Sequence, residues 1–239
     1  MHGLFVAEGN RMVTDLLRSG TGVNTLFATE EFLTSNRSYL PANEKVVVCS
    51  AEDIAAASLL RSPQDALVLC HLPEFQLQTV DPKRQLVLCL DQVQDPGNVG
   101  TIVRLADWFG ITDVVCSQNT ADIYAPKAVQ STMGSIARVR VHYTVLSDWI
   151  NTLQGHPVSI MGALLEGENL FGYQLPAAGI LIVGNEGNGI SEEIAEKLTH
   201  RLFIPGGHAP GEGPESLNVA VATAIICSEF FRQKSQTAK

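Results

Sequence analysis

The length, composition and charge of the chain already exclude several classes of protein. Its 239 residues are 45% hydrophobic and 17% charged, which is enough apolar material for a folded core and excludes a disordered chain or a fibrous repeat. Sixteen basic residues stand against 25 acidic ones, a net charge of −9, so any nucleic-acid partner is expected to be bound by a local patch rather than by the whole surface.

The first 75 residues alternate short apolar runs with segments of helical character. The runs that predict strands are Leu4–Val6, Thr25–Ala28, Lys45–Cys49 and Ala66–Cys70. Ser50, followed three positions later by Asp53, predicts a capped helix that continues to Leu60. These elements predict a small α/β domain.

A polar segment with two prolines, residues 72–84, has no sustained periodicity and predicts a linker. We therefore expect domains at residues 1–78 and 79–239. Candidate strands of the second domain are Gln85–Leu90, Asp113–Cys116, Val139–Tyr143, Val158–Ala163, Gly179–Val183 and Arg201–Ile204. Candidate helices are Val99–Phe109, Pro126–Ser135, Leu146–Leu153, Ser191–Leu198 and Leu217–Arg232. Strands that alternate with crossover helices imply a mostly parallel sheet covered on both faces.

The cysteine pattern bears on the compartment and on metals. Five widely spaced cysteines, four of them in apolar runs, predict buried thiols in a reducing compartment, and we expect a cytoplasmic protein. No CxxC pair or Cys/His cluster has zinc-like spacing, so no metal is expected. The N-terminus does not read as a signal peptide, and the longest uncharged stretch, 169–185, is too short and too broken by glycine and proline to span a membrane.

The first motif follows the strand predicted at residues 85–90. The chain passes through a Pro/Gly turn that contains Asn98 and into an amphipathic helix, where Arg104 lies six residues later. The turn therefore lies at the carboxyl end of a strand, where open α/β sheets bind ligands. A plainer interpretation makes the turn a good helix start and Arg104 a solvated surface residue.

The second motif, residues 181–191, passes from an apolar strand through a glycine-rich turn that contains Gly184 and Glu186, with Ser191 as the cap of the next helix. Glycines let the backbone approach a ligand closely. The spacing is not G-x-G-x-x-G, no P-loop lysine follows, and three nearby glutamates would repel a phosphate, so a neutral or cationic adenosine derivative fits better.

The third motif begins where a strand ends at Ile204. A loop with four glycines and three prolines leads to Ser216, Leu217 and Asn218, where we expect the last helix to open. A hydroxyl and an amide near a helix N-terminus, with its free N–H groups, favour a ligand site. The plainer interpretation is that Ser216 caps the helix and that Asn218 is incidental.

In order and spacing, the three motifs resemble those of the SpoU (TrmH-type) branch of the SPOUT RNA methyltransferases. The matching blocks are N-x-G-x-x-x-R-x-A at 98–106, G-x-E-G-x-G at 184–189, and I-P at 204 followed by S-L-N-V-x-V-A at 216–222, and the resemblance covers about residues 86–230. The loop at 206–215 is longer than is common in the family. Residues 5–75 resemble the N-terminal RNA-recognition domain, similar to kink-turn-binding ribosomal proteins, although the early block Phe5-Val6-Ala7-Glu8-Gly9 begins almost at Met1, without the helix that commonly precedes it.

The resemblance implies transfer of a methyl group from S-adenosylmethionine to a ribose 2′-hydroxyl of structured RNA, with rRNA favoured over tRNA. It also implies a C-terminal trefoil knot, an exception to the usual topology, a homodimer that pairs through the catalytic domain, and RNA recognition by the N-terminal domain. We expect the RNA patch to include Arg11, Arg18 and Arg37, and the dimer to use apolar faces of the helices at 99–109 and 217–231.

The resemblance also assigns roles to single residues. The counterpart of Arg104 is held to activate the hydroxyl. Because a guanidinium is essentially always protonated, we favour stabilisation of the developing alkoxide and a grip on an RNA phosphate. Asn98 would orient Arg104 or the ribose, and Glu186 would hold Arg104 or Asn98. Ser216 and Asn218 would fix the substrate sugar. The backbone at three positions would hold the adenosine of the cofactor: Gly184, Ile204 and Leu217.

Two other functions remain as alternatives. One is a non-catalytic RNA-binding protein that keeps the fold, but a site without chemistry has no physical need for five matching polar residues. The other is a nucleotide-binding oxidoreductase, but this sequence lacks the dinucleotide-binding fingerprint of such enzymes.

Overall fold

The computed structural model describes residues 3–41, 45–207 and 212–237, and within them the chain forms two separate sheets. The N-terminal sheet has the order β1-β4-β2-β3, in which β4 is antiparallel to both neighbours and β3 is parallel to β2. Its strands are β1 (Leu4–Glu8), β2 (Val23–Ala28), β3 (Lys45–Val48) and β4 (Ala66–His71), and its helices are α1 (Asn10–Ser19), α2 (Glu30–Ser35) and α3 (Ala51–Ala57). All four predicted strands of this half are confirmed.

The predicted cap of α3 is confirmed, but the helix ends earlier than expected. Ser50 Oγ accepts a hydrogen bond from the Asp53 N–H at 3.1 Å, and the Asp53 carboxylate accepts one from the Ser50 N–H at 3.2 Å. The helix ends at Ala57 rather than Leu60, because the Ser58 hydroxyl and the Leu59 N–H both donate to the Glu8 carboxylate at the end of β1. Those bonds take the chain out of the helical path.

The second sheet has six strands in the order β10-β8-β9-β5-β6-β7, and all its pairs are parallel, as predicted. The strands are β5 (Leu86–Asp91), β6 (Asp113–Ser117), β7 (Arg140–Thr144), β8 (Ile160–Asn169), β9 (Gly179–Gly184) and β10 (His200–Phe203). The helices are α4 (Pro96–Trp108), α5 (Pro126–Thr132), α6 (Leu146–Asn151), α7 (Glu192–Ala195) and α8 (Val219–Thr237). The central strands β5 and β9 are buried along their whole length, which explains their continuous apolar sequence.

Several element ends differ from the sequence prediction. Strand β8 continues to Asn169, beyond the predicted end at Ala163, because β10 shifts register between Arg201 and Leu202 and pairs with this polar extension. Helix α5 ends at Thr132, since the next two residues adopt left-handed backbone angles. Helix α4 begins at Pro96, three residues earlier than predicted, because Asp95 caps it and proline suits the first helical position. Helices α6 and α7 are each shorter than predicted.

Two close packings join the layers of the fold. A Cβ at Gly100 would lie 2.4 Å from the carbonyl oxygen of Ala128, so the backbones of α4 and α5 are in direct contact. The N-terminal domain packs on the second domain through Phe5, whose ring centroid lies 5.1 Å from that of Tyr124. Helix α5 is therefore held on one side by α4 and approached on the other by β1.

The segment between the sheets, from the end of β4 to the start of β5, holds only a short 3-10 turn at Leu77–Thr79. The predicted domain boundary at residues 78 and 79 falls in this segment and stays a prediction, as does the trefoil knot. All five cysteines are free thiols, and four of them are buried. No helix of the described ranges is long and apolar enough to cross a membrane.

Candidate functional site

The carboxyl ends of β5 and β9 lie side by side and bring two of the sequence motifs together. Asp91 pairs in register with Gly184, so the loops that follow both strands leave the same edge of the sheet. The Asp91 carboxylate accepts a hydrogen bond from the Ser191 N–H at 2.7 Å, and the Asn185 amide donates to the carbonyl of Gln92 at 2.9 Å. These bonds tie the first loop to the second.

The first loop is closed by the cap of α4. Asp95 Oδ1 accepts a hydrogen bond from the Asn98 N–H at 3.0 Å, and Pro96 occupies the start of the helix, where no N–H is needed. Asn98 is thereby fixed in the first turn of α4 with its side chain free to reach other loops.

The second loop is a tight turn held by its own backbone. Asn185 and Gly189 exchange two backbone hydrogen bonds of 2.9 Å, and Asn185 Oδ1 accepts from the N–H groups of Gly187 and Asn188 at 2.9 and 3.0 Å. A Cβ at Gly184 would lie 2.2 Å from the carbonyl carbon of Gly189. Glycine at 184 is thus required by the loop itself, and not only by the approach of a ligand, and the turn exposes Glu186.

The third loop ends in a cap made by Asn218, not by Ser216. Asn218 Oδ1 accepts hydrogen bonds from the N–H groups of Ala220 and Val221 at 2.9 and 3.3 Å, and α8 begins at Val219. The prediction that the helix opens at Ser216 is therefore wrong, because asparagine is as good a cap as serine and here lies one residue before the helix. Ser216 is exposed in the preceding loop.

Asn98 joins all three loops in one hydrogen-bond network. Its Nδ2 donates to Glu186 Oε1 at 2.7 Å, and its Oδ1 accepts from Asn218 Nδ2 at 3.0 Å. The partners lie 88 and 120 positions away in the sequence. Of the two partners that the sequence left open for Glu186, Asn98 is therefore the one it contacts.

Arg104 and Ser216 lie outside this network. Arg104 is exposed on α4 and makes no hydrogen bond or ion pair with any residue of the described ranges. The Ser216 hydroxyl likewise has no partner within those ranges. The five N–H donors of the Arg104 guanidinium and the hydroxyl of Ser216 are therefore available to a ligand.

Sequence reasoning missed one charged contact of the first loop. Asp95 Oδ2 pairs with Lys127 Nζ at 2.7 Å, and the hydrogen bond from Lys127 is the main reason that the pKa of Asp95 is lowered. The partners are 32 residues apart, one capping α4 and the other on α5, so no local pattern reveals the pair.

The three predicted adenosine-binding positions lie on the same loops. Gly184 ends β9, Ile204 follows β10, and Leu217 precedes α8. Ile204 is half-buried and Leu217 is 49% exposed, and the N–H groups of Ser216 and Leu217 have no acceptor within the described ranges. Apolar side chains with free backbone donors suit an adenine ring, and the Glu186 carboxylate suits a sulfonium cation, so the residues fit S-adenosylmethionine. Residues 208–211 of the lengthened loop lie outside the described residues.

Comparisons with known proteins identify the family. The model of the SpoU rRNA methylase family matches residues 85–228, and that of the MRM3-like substrate binding domain matches residues 1–68. The 23S rRNA (guanosine(2553)-2′-O)-methyltransferase RlmP of Bacillus subtilis is 35% identical over 93% of this chain and 86% of its own length. A solved structure from Porphyromonas gingivalis, assigned to the TrmH family of RNA methyltransferases, has a TM-score of 0.86 and 38% identity over 97% of this chain and 90% of its own. An AdoMet-bound rRNA methyltransferase from Sinorhizobium meliloti has a TM-score of 0.86 and 26% identity over 96% and 87% of the two chains. The chain therefore belongs to the SpoU rRNA methylase family.

Proposed function

We propose that the protein transfers the methyl group of S-adenosylmethionine to a ribose 2′-hydroxyl of rRNA. The observation that carries the proposal is the Asn98–Glu186–Asn218 network, in a chain of the SpoU family whose Arg104, further along α4, has no partner among the described residues. A relative that spans nearly the whole chain is named for 2′-O-methylation of 23S rRNA, which supports the substrate and the position of the methyl group.

Three backbone positions, Gly184, Ile204 and Leu217, would hold the adenosine part of the cofactor. When bound, S-adenosylmethionine supplies an electrophilic methyl group. The protein has to bring a weak nucleophile, the ribose hydroxyl, to that group, and positioning two reactants supplies much of the rate acceleration.

Arg104 is our candidate for the residue that acts on the hydroxyl. The two-pronged donor geometry of its guanidinium suits one RNA phosphate together with the oxygen that gains negative charge during transfer. Donors that are aimed in advance at developing charge are worth more than the same donors in water. The absence of a competing partner within the described residues keeps those donors available.

Asn98 is our candidate for the residue that orients the sugar. Its amide has two N–H donors, and the bond to Glu186 uses one; the second has no acceptor among the described residues and would bind a ribose oxygen. Glu186 accepts from the amide nitrogen of Asn98 and Asn218 donates to its amide oxygen, so the two contacts together fix the orientation of the amide. The exposed Ser216 hydroxyl adds a further sugar contact.

The protein is also proposed to act as a homodimer. Trp108 on α4 is 82% exposed, and Leu217 and Val221 at the start of α8 are each 49% exposed. Exposed apolar side chains of this size, at the end of α4 and at the start of α8, are groups that a second copy would cover. Arg104 lies one helical turn from Trp108, so the second subunit would stand next to the site. Sedimentation at micromolar concentration should give twice the chain mass, and a monomer there would contradict the proposal.

The N-terminal domain is proposed to recognise the RNA. Arg11 and Arg18 line a cleft of about 520 Å³ between α1 and α2, and the Arg18 guanidinium lies 4.7 Å from the centre of the exposed Tyr39 ring. A guanidinium stacked on an aromatic ring is a surface on which an unpaired base can stack. Arg37, the third predicted member of the patch, is exposed just after α2. Arg11→Ala with Arg18→Ala should weaken RNA binding and flatten its salt dependence, whereas unchanged RNA binding would remove this role.

Three experiments test the proposed cofactor, reaction and compartment. Calorimetry should show binding of S-adenosylmethionine and none of a nicotinamide cofactor. Mapping of 2′-O-methylation in the rRNA of a strain that lacks the gene should find one ribose unmethylated, whereas a complete methylation pattern would favour the non-catalytic alternative. We place this activity in the cytoplasm, a reducing compartment in keeping with five free thiols, and a fluorescent fusion would test the location.

A further inference from the structure

Lys127, on the first turn of α5, reaches the loop that carries Asn98. Its ammonium lies 2.7 Å from Asp95 Oδ2, while Asp95 Oδ1 accepts the hydrogen bond from the Asn98 N–H at 3.0 Å. One carboxylate therefore connects an ammonium on α5 to the backbone of the residue at the centre of the network. Because each carboxylate oxygen has its own partner, the two contacts together define the rotation of the Asp95 side chain.

The base of the Lys127 side chain is itself held in place. The next residue, Ala128, has its carbonyl against Gly100, where a Cβ would lie only 2.4 Å away, so α5 cannot shift along α4 without a clash. The Lys127 carbonyl accepts a hydrogen bond from Ser131 Oγ at 2.8 Å within α5. The ammonium thus reaches Asp95 from a fixed point, as a positioning group requires.

The contact is too exposed to be explained by stability. The Lys127 and Asp95 side chains are 64% and 45% exposed, and ion pairs of that kind contribute little to folding. The same weak energy is enough to select one orientation of a loop side chain.

We propose that Lys127 is a positioning residue for methyl transfer. Acting through Asp95, it holds Asn98 where Glu186 and Asn218 can bind the amide from both ends. The kinetic part of this inference rests on the proposed function. The competing role for Lys127, a direct contact with an RNA phosphate, makes different demands: it needs the ammonium but has no use for Asp95.

Two single variants and their combination test the proposal. Lys127→Met removes the ammonium and keeps the apolar stem. Asp95→Asn keeps an oxygen to accept the Asn98 N–H but no longer attracts the ammonium. If both act through Asn98, each should lower kcat for methylation of in-vitro-transcribed 23S rRNA about two- to fivefold, the range set by an exposed ion pair. The KM for RNA should not change, the double variant should be no slower than either single one, and Lys127→Arg should restore most of the rate.

Hydrogen exchange gives a second readout that does not depend on turnover. Amide exchange in residues 92–103 should be faster in Lys127→Met and in Asp95→Asn than in the unchanged protein. The control is Arg138→Met, which breaks a partly exposed ion pair near the other end of α4, the 2.7 Å contact between Arg138 and Asp107. That control should leave both kcat and exchange in residues 92–103 unchanged.

Each contrary result points to one failure. A raised KM in Lys127→Met, with Asp95→Asn behaving like the unchanged protein, would overturn the proposal and assign Lys127 to an RNA phosphate. Unchanged exchange in residues 92–103 in both variants would also overturn it. Loss of protection at that segment in a protein that methylates no rRNA would uphold the positioning contact while refuting the proposed function.

Discussion

The two ends of the parallel sheet carry polar clusters of opposite character. At the amino end, Asp113 is fully buried and accepts hydrogen bonds from Arg140 at 2.6 and 2.8 Å, from His142 at 2.9 Å and from Thr112 at 2.8 Å. At the carboxyl end, the Asn98 network is exposed to solvent, and Arg104, six residues further along α4, has no partner within the described residues.

This comparison separates a cluster whose hydrogen bonds stay within the buried sheet from one that is open to solvent and that we propose binds a ligand. The Asp113 carboxylate accepts hydrogen bonds on both of its oxygens from the protein, and its removal leaves the buried Nε2 of His142 without a partner among the described residues. The donors of the carboxyl-end cluster contact water, and under the proposed function an RNA would cover them and form hydrogen bonds with them. Mutations at the two ends should therefore affect different measurements.

The largest expected effect on folding is that of Asp113→Ala. It should lower the free energy of unfolding by about 3 kcal/mol, the lower end of the range for breaking a buried pair, because Arg140 is partly exposed and regains water. Urea unfolding measures the loss, while kcat of the folded enzyme should stay unchanged. Asp148→Ala, an exposed acid of α6, is the control and should cost less than about 1 kcal/mol. A destabilisation no larger than the control's would mean that the buried cluster does not hold the sheet.

The largest expected effect on activity is that of Arg104→Ala. Loss of one donor aimed in advance at developing charge should lower kcat about 10²-fold. The free energy of unfolding should change by less than about 0.5 kcal/mol, because the side chain is exposed, and the cofactor should bind as before. Arg104→Lys keeps the positive charge but not the two-pronged donor geometry, so its kcat should lie between those of the unchanged protein and Arg104→Ala. Normal methylation by Arg104→Ala would mean that Arg104 is a solvated surface residue of α4 with no role in methyl transfer.

Asn98 and Asn218 separate an effect on activity from an effect on stability within a single network. Asn98→Ala breaks both bonds of the network but no helix cap, so it should lower kcat roughly tenfold, about 1.4 kcal/mol in the barrier, and leave stability nearly unchanged. Asn218→Ala removes the cap of α8 as well and should also cost about 1 kcal/mol in urea unfolding. If both variants lose the same amount of unfolding free energy, then the claim that Asn218 stabilises the fold and Asn98 does not is wrong.

The smallest expected effect is a dependence of the unfolding free energy on pH, through the carboxylate of Asp113. Burial alone would raise the pKa of Asp113, but hydrogen bonds from His142, Arg140 and Thr112 outweigh it and hold the pKa well below its usual range. A pKa lowered by folding gives stability that is present at neutral pH and is lost as the pH falls below the ordinary value of an aspartate. The difference in unfolding free energy between the unchanged protein and Asp113→Asn should therefore shrink by about 1 kcal/mol between pH 5 and pH 3. A difference that stays constant over that range would contradict the lowered pKa.

The sequence predicted what depends on local pattern. Apolar runs located the strands, their alternation with helices predicted the parallel sheet, and the three loops at strand ends proved to share one edge. The choice between Arg104 and Asn98 as the partner of Glu186 could not be made, because it depends on distances between loops that are far apart in the chain. The Asp95–Lys127 and Asp113–Arg140 pairs were missed for the same reason. The cap by Asn218 was missed because Ser216 fits the same preference two residues earlier.

The most direct test of the central claim is the chemical identity of the product made by the purified protein. We expect 23S rRNA from a strain that lacks the gene to accept one labelled methyl group from S-adenosylmethionine, and nucleoside mass spectrometry to find it on a ribose 2′-oxygen. Arg104→Ala should give the same product about 10²-fold more slowly. A methyl group on a base, or no transfer by a folded dimer that binds the cofactor, would contradict the account.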